Sequence, residues 1–171
     1  MNGIPSFKIA IAVLLPLIAA CGDDGPSGDA TSFSATLSGT NEVPQVTTPA
    51  TGTATFTVSG SQITYTINAT NLQNAVLGHI HLAAVGQNGP VRLNLCGTGD
   101  PQPACVSGTG VVATGTNGTT VGTPAITFDE LLAAMRSGGA YVNVHTSAAG
   151  CTPGDPGCNP GGEIRGQIVA N

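Results

Sequence analysis

Charge is scarce in this chain. Only 8% of its 171 residues are charged, and just four are Lys or Arg. Lys8, Arg92, Arg136 and Arg165 are scattered along the chain. A nucleic-acid surface needs a cationic stripe to neutralise phosphates, so no nucleic-acid partner is expected. Tryptophan is absent and aromatics make up 4%. Sugar-binding surfaces stack their ligand on Trp or Tyr. Only Tyr65 and Tyr141 are available, which argues against adhesion to carbohydrate through the Thr-rich surface. The scarcity of Glu, Lys and Arg also argues against a helix-rich domain. Wholesale disorder would require a chain poor in Val and Ile, whereas β-branched residues recur here in alternating runs.

What the chain has in quantity is glycine (25), proline (12) and threonine. That composition suits short strands joined by tight turns. Segments 32–38, 52–58, 62–68, 78–84, 90–95, 108–114, 140–146 and 162–169 read as about eight strands. Several set apolar residues on one face against Ser and Thr on the other, as Phe33, Ala35 and Leu37 do in "SFSATLS". Gly60-Ser61 forms a hairpin tip. The fold class expected is mostly β, an antiparallel Greek-key sandwich or barrel, with one crossover helix near 128–137. Thr127 and Glu130 make a capping box for that helix, and Gly138-Gly139 ends it. "GTGVVA" (108–113) has glycines spaced as in a dinucleotide loop, but no helix follows it.

Residues 9–20, "IAIAVLLPLIAA", form an apolar run too short for a membrane span, which needs about 20 residues. With one Lys before it, the run reads as a signal peptide over 1–20. "LIAAC" resembles the bacterial lipobox, which implies cleavage before Cys21 and lipidation of that cysteine. Residues 21–31 then form a flexible tether, and 32–171 form the folded domain. Gly22 rather than Asp follows Cys21. A rule that holds in some Gram-negative bacteria then places the protein in the cell envelope, at the outer membrane. Multiple acyl chains make a stable membrane anchor.

Four cysteines remain beyond Cys21, and four allow three pairings. An exported chain meets an oxidising compartment. The local pairs Cys96–Cys105 and Cys151–Cys158 are expected, because each encloses a Gly/Pro/Asp loop. Their spacings of eight and six intervening residues are unlike zinc knuckles.

Three segments, "FSATLSGTNEVPQVTTPATGTATFTV" (33–58), "GHIHLAAVGQNGPVRLNL" (78–95) and "YVNVHT…PGGEIRGQI" (141–168), resemble the CHRD domain. That domain is repeated in chordin, the antagonist of bone morphogenetic proteins, and occurs singly in many bacterial exported proteins. The resemblance covers residues 33 to 169. It implies an immunoglobulin-like β-barrel with a faint likeness to Cu/Zn superoxide dismutase. It implies no activity, since the bacterial members have none established. The family's "NEVPPV" reads "NEVPQV" here, and the loop carrying Cys151 and Cys158 is a local elaboration.

His79 and His81 alternate along one strand, so they share a face about 6.5–7 Å apart. His145 lies in another strand. By the dismutase likeness these three match copper ligands, and imidazole suits copper or zinc. The departures are as important. No fourth histidine bridges two metals, and the dismutase arginine falls near Gly162 rather than on Arg165. Two readings stay open. In the first, the protein is a lipid-anchored, non-catalytic binding or structural module requiring no cofactor. Its histidines, Glu163 and Arg165 then form a polar network, with Glu163 paired to Arg165 or to a histidine. Protein partners would dock at loops 41–50, 84–90 and 97–107. In the second, His79, His81 and His145 hold copper or zinc, with at most weak redox chemistry. The two separate on whether His145 converges on the other histidines.

Overall fold

The structure, a computed structural model, describes residues 30–97 and 101–171. The signal segment, Cys21 and most of the tether lie outside the described residues. Nine strands and one α-helix follow in order. They are β1 (Ser32–Ser38), β2 (Thr51–Ser59), β3 (Gln62–Leu72), β4 (Ala75–Leu82), β5 (Val91–Cys96), β6 (Gly108–Asn117), α1 (Phe128–Arg136), β7 (Ala140–Thr146), β8 (Ile164–Gln167) and β9 (Val169–Ala170). The sheet runs β5-β4-β7-β8-β1-β2-β3-β6, with β9 beside β1, and every strand pairing is antiparallel. The order 1-2-3 followed by 6-5-4 is a Greek-key path, and it curls the sheet into a nearly closed barrel.

Alternation builds the core. Phe33, Leu37, Phe56, Ile63 and Ile67 point inward from β1, β2 and β3, and all are fully buried. Ile80, Leu93, Val142, Val144 and Ile164 meet them from the far side. The helix packs Leu131, Leu132 and Met135 against this core. Its capping box forms as the sequence predicts. Thr127 Oγ1 accepts from Glu130 N at 3.2 Å, and the Glu130 carboxylate accepts from Thr127 N at 2.7 Å.

The seam between β5 and β6 is not closed by a continuous ladder. Leu93 and Thr120 form one isolated bridge there. Side chains and one loop amide complete the closure. The carbonyl of Asn94 accepts from Asn117 Nδ2 at 2.8 Å, and that of Arg92 accepts from Val121 N at 2.9 Å. Buried Tyr65 donates its hydroxyl to Leu95 O across the barrel. Both expected disulfides are present, Cys96–Cys105 and Cys151–Cys158.

One strand departs from expectation. Segment 162–169 is broken at Ile168, which buries its side chain and donates its N–H to Ala140 O at 2.9 Å. The chain there leaves β7 and joins β1 as β9.

Strand β7 is buried at every one of its seven positions. One face meets the barrel interior. The other is the outer face, covered by segments 84–90 and 147–163, to both of which segment 41–50 is joined. A polar face that would ordinarily meet water is thereby enclosed.

Candidate metal centre

The outer face of β4 and β7 carries the site. Ile80, Val142 and Val144 point inward, so their neighbours His79, His81, Tyr141, Asn143 and His145 point outward. The register pairs His79 with Asn143 and His81 with Tyr141, and sets His145 against Leu77. His145 is therefore diagonal to His79, within reach of a long side chain. Irregularities between β4 and β5 flank both β4 histidines, between Gly78 and His79 and between Ile80 and His81. Such bulges re-aim side chains.

The three rings converge. One nitrogen from each of His79, His81 and His145 lies within 4.8 Å of the others. Ring centroids stand 5.0 to 6.1 Å apart. The three residues are 6%, 7% and 8% exposed respectively. His145 thus meets the condition that the sequence left open.

Hydrogen bonds fix the ring orientations. His81 Nδ1 is 2.8 Å from Gly89 O, and His145 Nδ1 is 2.9 Å from Pro160 O. A carbonyl only accepts, so both Nδ1 atoms carry the proton and both Nε2 atoms present lone pairs. His145 Nε2 faces His79 Nδ1 at 3.1 Å, so His79 donates there. His81 Nε2 is buried and has no partner. The glycine in "QNGPV" makes the His81 contact reachable. A Cβ on Gly89 would lie 1.9 Å from Leu82 O, so only glycine allows this close approach.

Burial keeps all three rings neutral. It pulls His79 down to about 4, helped by repulsion from His145 and His81. Burial likewise lowers His81 and His145, against the hydrogen bonds to Gly89 and Pro160. Neutral imidazole with its second nitrogen donating to a backbone carbonyl is the form that binds metals. Tetrahedral coordination at 2.0–2.1 Å places ligand nitrogens about 3.3 Å apart. His79 Nδ1 and His145 Nε2, 3.1 Å apart, are already near that spacing, and binding an ion would require the His79 proton to move from Nδ1 to Nε2. The donor set fits a copper or zinc ion.

Arg165 and Glu163 surround the centre without pairing to each other or to a histidine. Arg165 donates to Asn88 Oδ1 at 3.1 Å and Gln87 O at 2.6 Å. Its guanidinium lies 3.3 Å over the Tyr141 ring, which stacks on His81 with centroids 4.7 Å apart. Glu163 precedes β8 and turns the other way. It accepts from Thr48 Oγ1, from Thr146 Oγ1 at 2.8 Å, from Asn159 Nδ2 at 2.6 Å and from Gly157 N at 3.0 Å. Burial would raise its pKa, but these donors outweigh burial and hold it below the usual carboxylate range. Glu163 thereby fastens segments 41–50 and 147–163 to β7, and Arg165 fastens segment 84–90. The expected polar network exists with different partners.

Sequence reasoning passed over three residues. Tyr141 and Asn143 share the period-two face of His145, and that alternation was the available signal. Glu42, in "NEVPQV", is 5% exposed, its Oε1 has no partner, and it abuts Gly162. Burial pushes its pKa up to about 7, against the pull of Arg165 and with the push of Glu163. Loops 41–50 and 84–90, expected as docking sites, are joined by Asn88 Nδ2 donating to Val43 O at 2.7 Å. A cleft of about 430 Å³ lies between them, lined by Glu42, Pro44, Val85 and Arg165 among others. Of loop 97–107, residues 98–100 lie outside the described residues.

The family model of the CHRD domain matches residues 33–168. The chain belongs to the CHRD domain family. The match takes in all three histidines, both disulfides and every strand except Ser32 of β1 and the short β9. As a CHRD domain it is a binding or structural module. A search of the curated proteins finds no match to this CHRD chain.

Proposed function

We propose that this CHRD domain is a lipid-anchored envelope protein that holds one copper or zinc ion at His79, His81 and His145, without catalytic turnover. The observation that carries the metal reading is His81 Nε2. A histidine kept only for structure spends both nitrogens on partners. His81 spends Nδ1 on Gly89 O and leaves Nε2 buried without a donor, in a cluster with two other histidines. A bound ion would supply a Lewis-acidic or, with copper, redox-active charge. The protein's own part is to hold three neutral imidazoles in place and keep water away. The anchor rests on "LIAAC" and Cys21.

The test is metal content. The full chain, exported through an oxidising compartment and purified, is loaded with copper(II) or zinc(II), dialysed, and its metal counted by mass spectrometry. Near one ion per chain is expected, lost when His79, His81 or His145 is changed to Ala. Parent protein that retains no metal refutes the site. Mass analysis of the mature N-terminal peptide checks the anchor, with diacylglycerol on Cys21 the expected result.

A further inference from the structure

A second buried acceptor lies at the same centre. Asn143 is 2% exposed, and its Oδ1 makes no hydrogen bond. It sits directly opposite His79 on β4 and opposite Arg165 on β8, between Tyr141 and His145 on its own strand. Directly paired residues hold their Cβ atoms about 4.5–5.5 Å apart on one face. The Asn143 amide lies within hydrogen-bond reach of the His81 ring, yet neither His81 Nε2 nor Asn143 Oδ1 receives a donor.

The reason is chemical. His81 Nδ1 holds its proton for Gly89 O, so Nε2 is an acceptor. Asn143 Oδ1 is also an acceptor. Two buried acceptors therefore lie in one enclosure with no donor between them. Leaving one such group unsatisfied costs about 1–3 kcal/mol. A cation shared by both satisfies the pair. Three imidazoles leave one position of a tetrahedral ion unfilled, and an amide oxygen is a ligand that zinc or copper accepts.

We infer that Asn143 supplies the fourth donor to the metal, through its side-chain carbonyl oxygen, completing a site of three imidazoles and one amide oxygen. This rests on the three-histidine reading above. The filled position closes the ion to substrate and makes the centre one that retains metal.

The experiment compares the full chain with Asn143→Leu and Asn143→Asp, each given one equivalent of cobalt(II) or zinc(II). Cobalt reports coordination through its visible d–d bands, which are intense only when it is four-coordinate. Zinc affinity is read by competition with a chromophoric chelator, and melting temperature is measured with and without metal. The parent is expected to show intense cobalt bands. Asn143→Asp, which keeps an oxygen donor and adds charge, should retain them and bind zinc more tightly. Asn143→Leu should lose band intensity and bind zinc at least about 10-fold more weakly. Its metal-free melting temperature should not fall, because an unpaired acceptor has been removed.

Equal bands and equal affinity in Asn143→Leu overturn the inference. That is also the result if a lone water, or a turned amide donating to His81, satisfies the pair. A leucine variant that melts earlier by the same amount with and without metal overturns it as well. Should that variant not fold, unchanged zinc affinity in Asn143→Asp does so. If the parent itself takes up no metal and His79→Ala behaves identically, the three-histidine reading fails and takes the fourth donor with it. Metal bound by the parent, lost in the histidine variants and unaltered in Asn143→Leu, refutes the fourth donor alone.

Discussion

Glu42 should make this domain less stable as the pH rises towards neutrality. Its carboxyl is 5% exposed, Oε1 has no partner, and burial pushes its pKa from 4.5 to about 7. The charged groups that act on it are Arg165, which favours ionisation, and Glu163, which opposes it. In the unfolded chain Glu42 ionises at its ordinary value. A folded pKa above the unfolded one means that the folded state binds more protons between the two. The associated stability is fully present below about pH 4.5 and is lost as pH rises through about 7. A tenfold change in proton affinity is worth about 1.4 kcal/mol, so the loss is about 3 kcal/mol. Histidines and other carboxylates titrate in the same range, so the effect is read as a difference. Urea unfolding of the parent and Glu42→Gln is measured at pH 4.5, 6.0 and 7.5. The glutamine variant should gain on the parent by about 3 kcal/mol across that span. Parallel stability curves would refute the account of Glu42 as a buried carboxyl held without a partner.

Two further outcomes follow from the segments covering the site. Gly162 has φ +137°, and a Cβ there would fall 2.3 Å from Glu42 Oε1. Gly162→Ala should cost about 2 kcal/mol or more in urea unfolding, and adding Glu42→Ala should recover only the part due to the clash. Replacing Cys151 and Cys158 together by Ser should cost about 2–3 kcal/mol, from the lost loop constraint. Because that loop leads into Pro160, whose carbonyl orients His145, the double variant should also release metal to a chelator faster than the parent.

The barrel was legible in the sequence because one side of it obeys the simple rule. Phe33, Leu37, Ile63 and Ile67 alternate with Ser, Thr and Asn along β1 and β3, and the helix announces itself through Thr127 and Glu130. The local cysteine pairs were legible because a short loop leaves little choice of partner. The enclosure over β7 was not. Alternation reports which residues avoid the core, but not whether loops cover them afterwards. Asn143 and Tyr141 read as an ordinary polar face until segments 84–90 and 147–163, joined to 41–50, are laid across them. Convergence of His145 on His79 depends on the β4–β7 register, which brings together two residues 66 apart in sequence. The partners of Glu163 and Arg165 were misjudged for the same reason. Both side chains fasten loops, and loop paths have no periodicity to read.

The seam between β5 and β6 has a bearing on how these molecules meet one another. An open sheet edge invites a neighbouring chain to add a strand, and the invitation consists of unpaired carbonyls and amides in a row. Here the carbonyls of Arg92, Asn94 and Leu95 are already taken by Val121 N, Asn117 Nδ2 and the Tyr65 hydroxyl. The acceptors that a second copy would need along this stretch of β5 are occupied from within. While the seam is closed, this stretch of β5 therefore offers no template for polymerisation, and a local opening there would expose it.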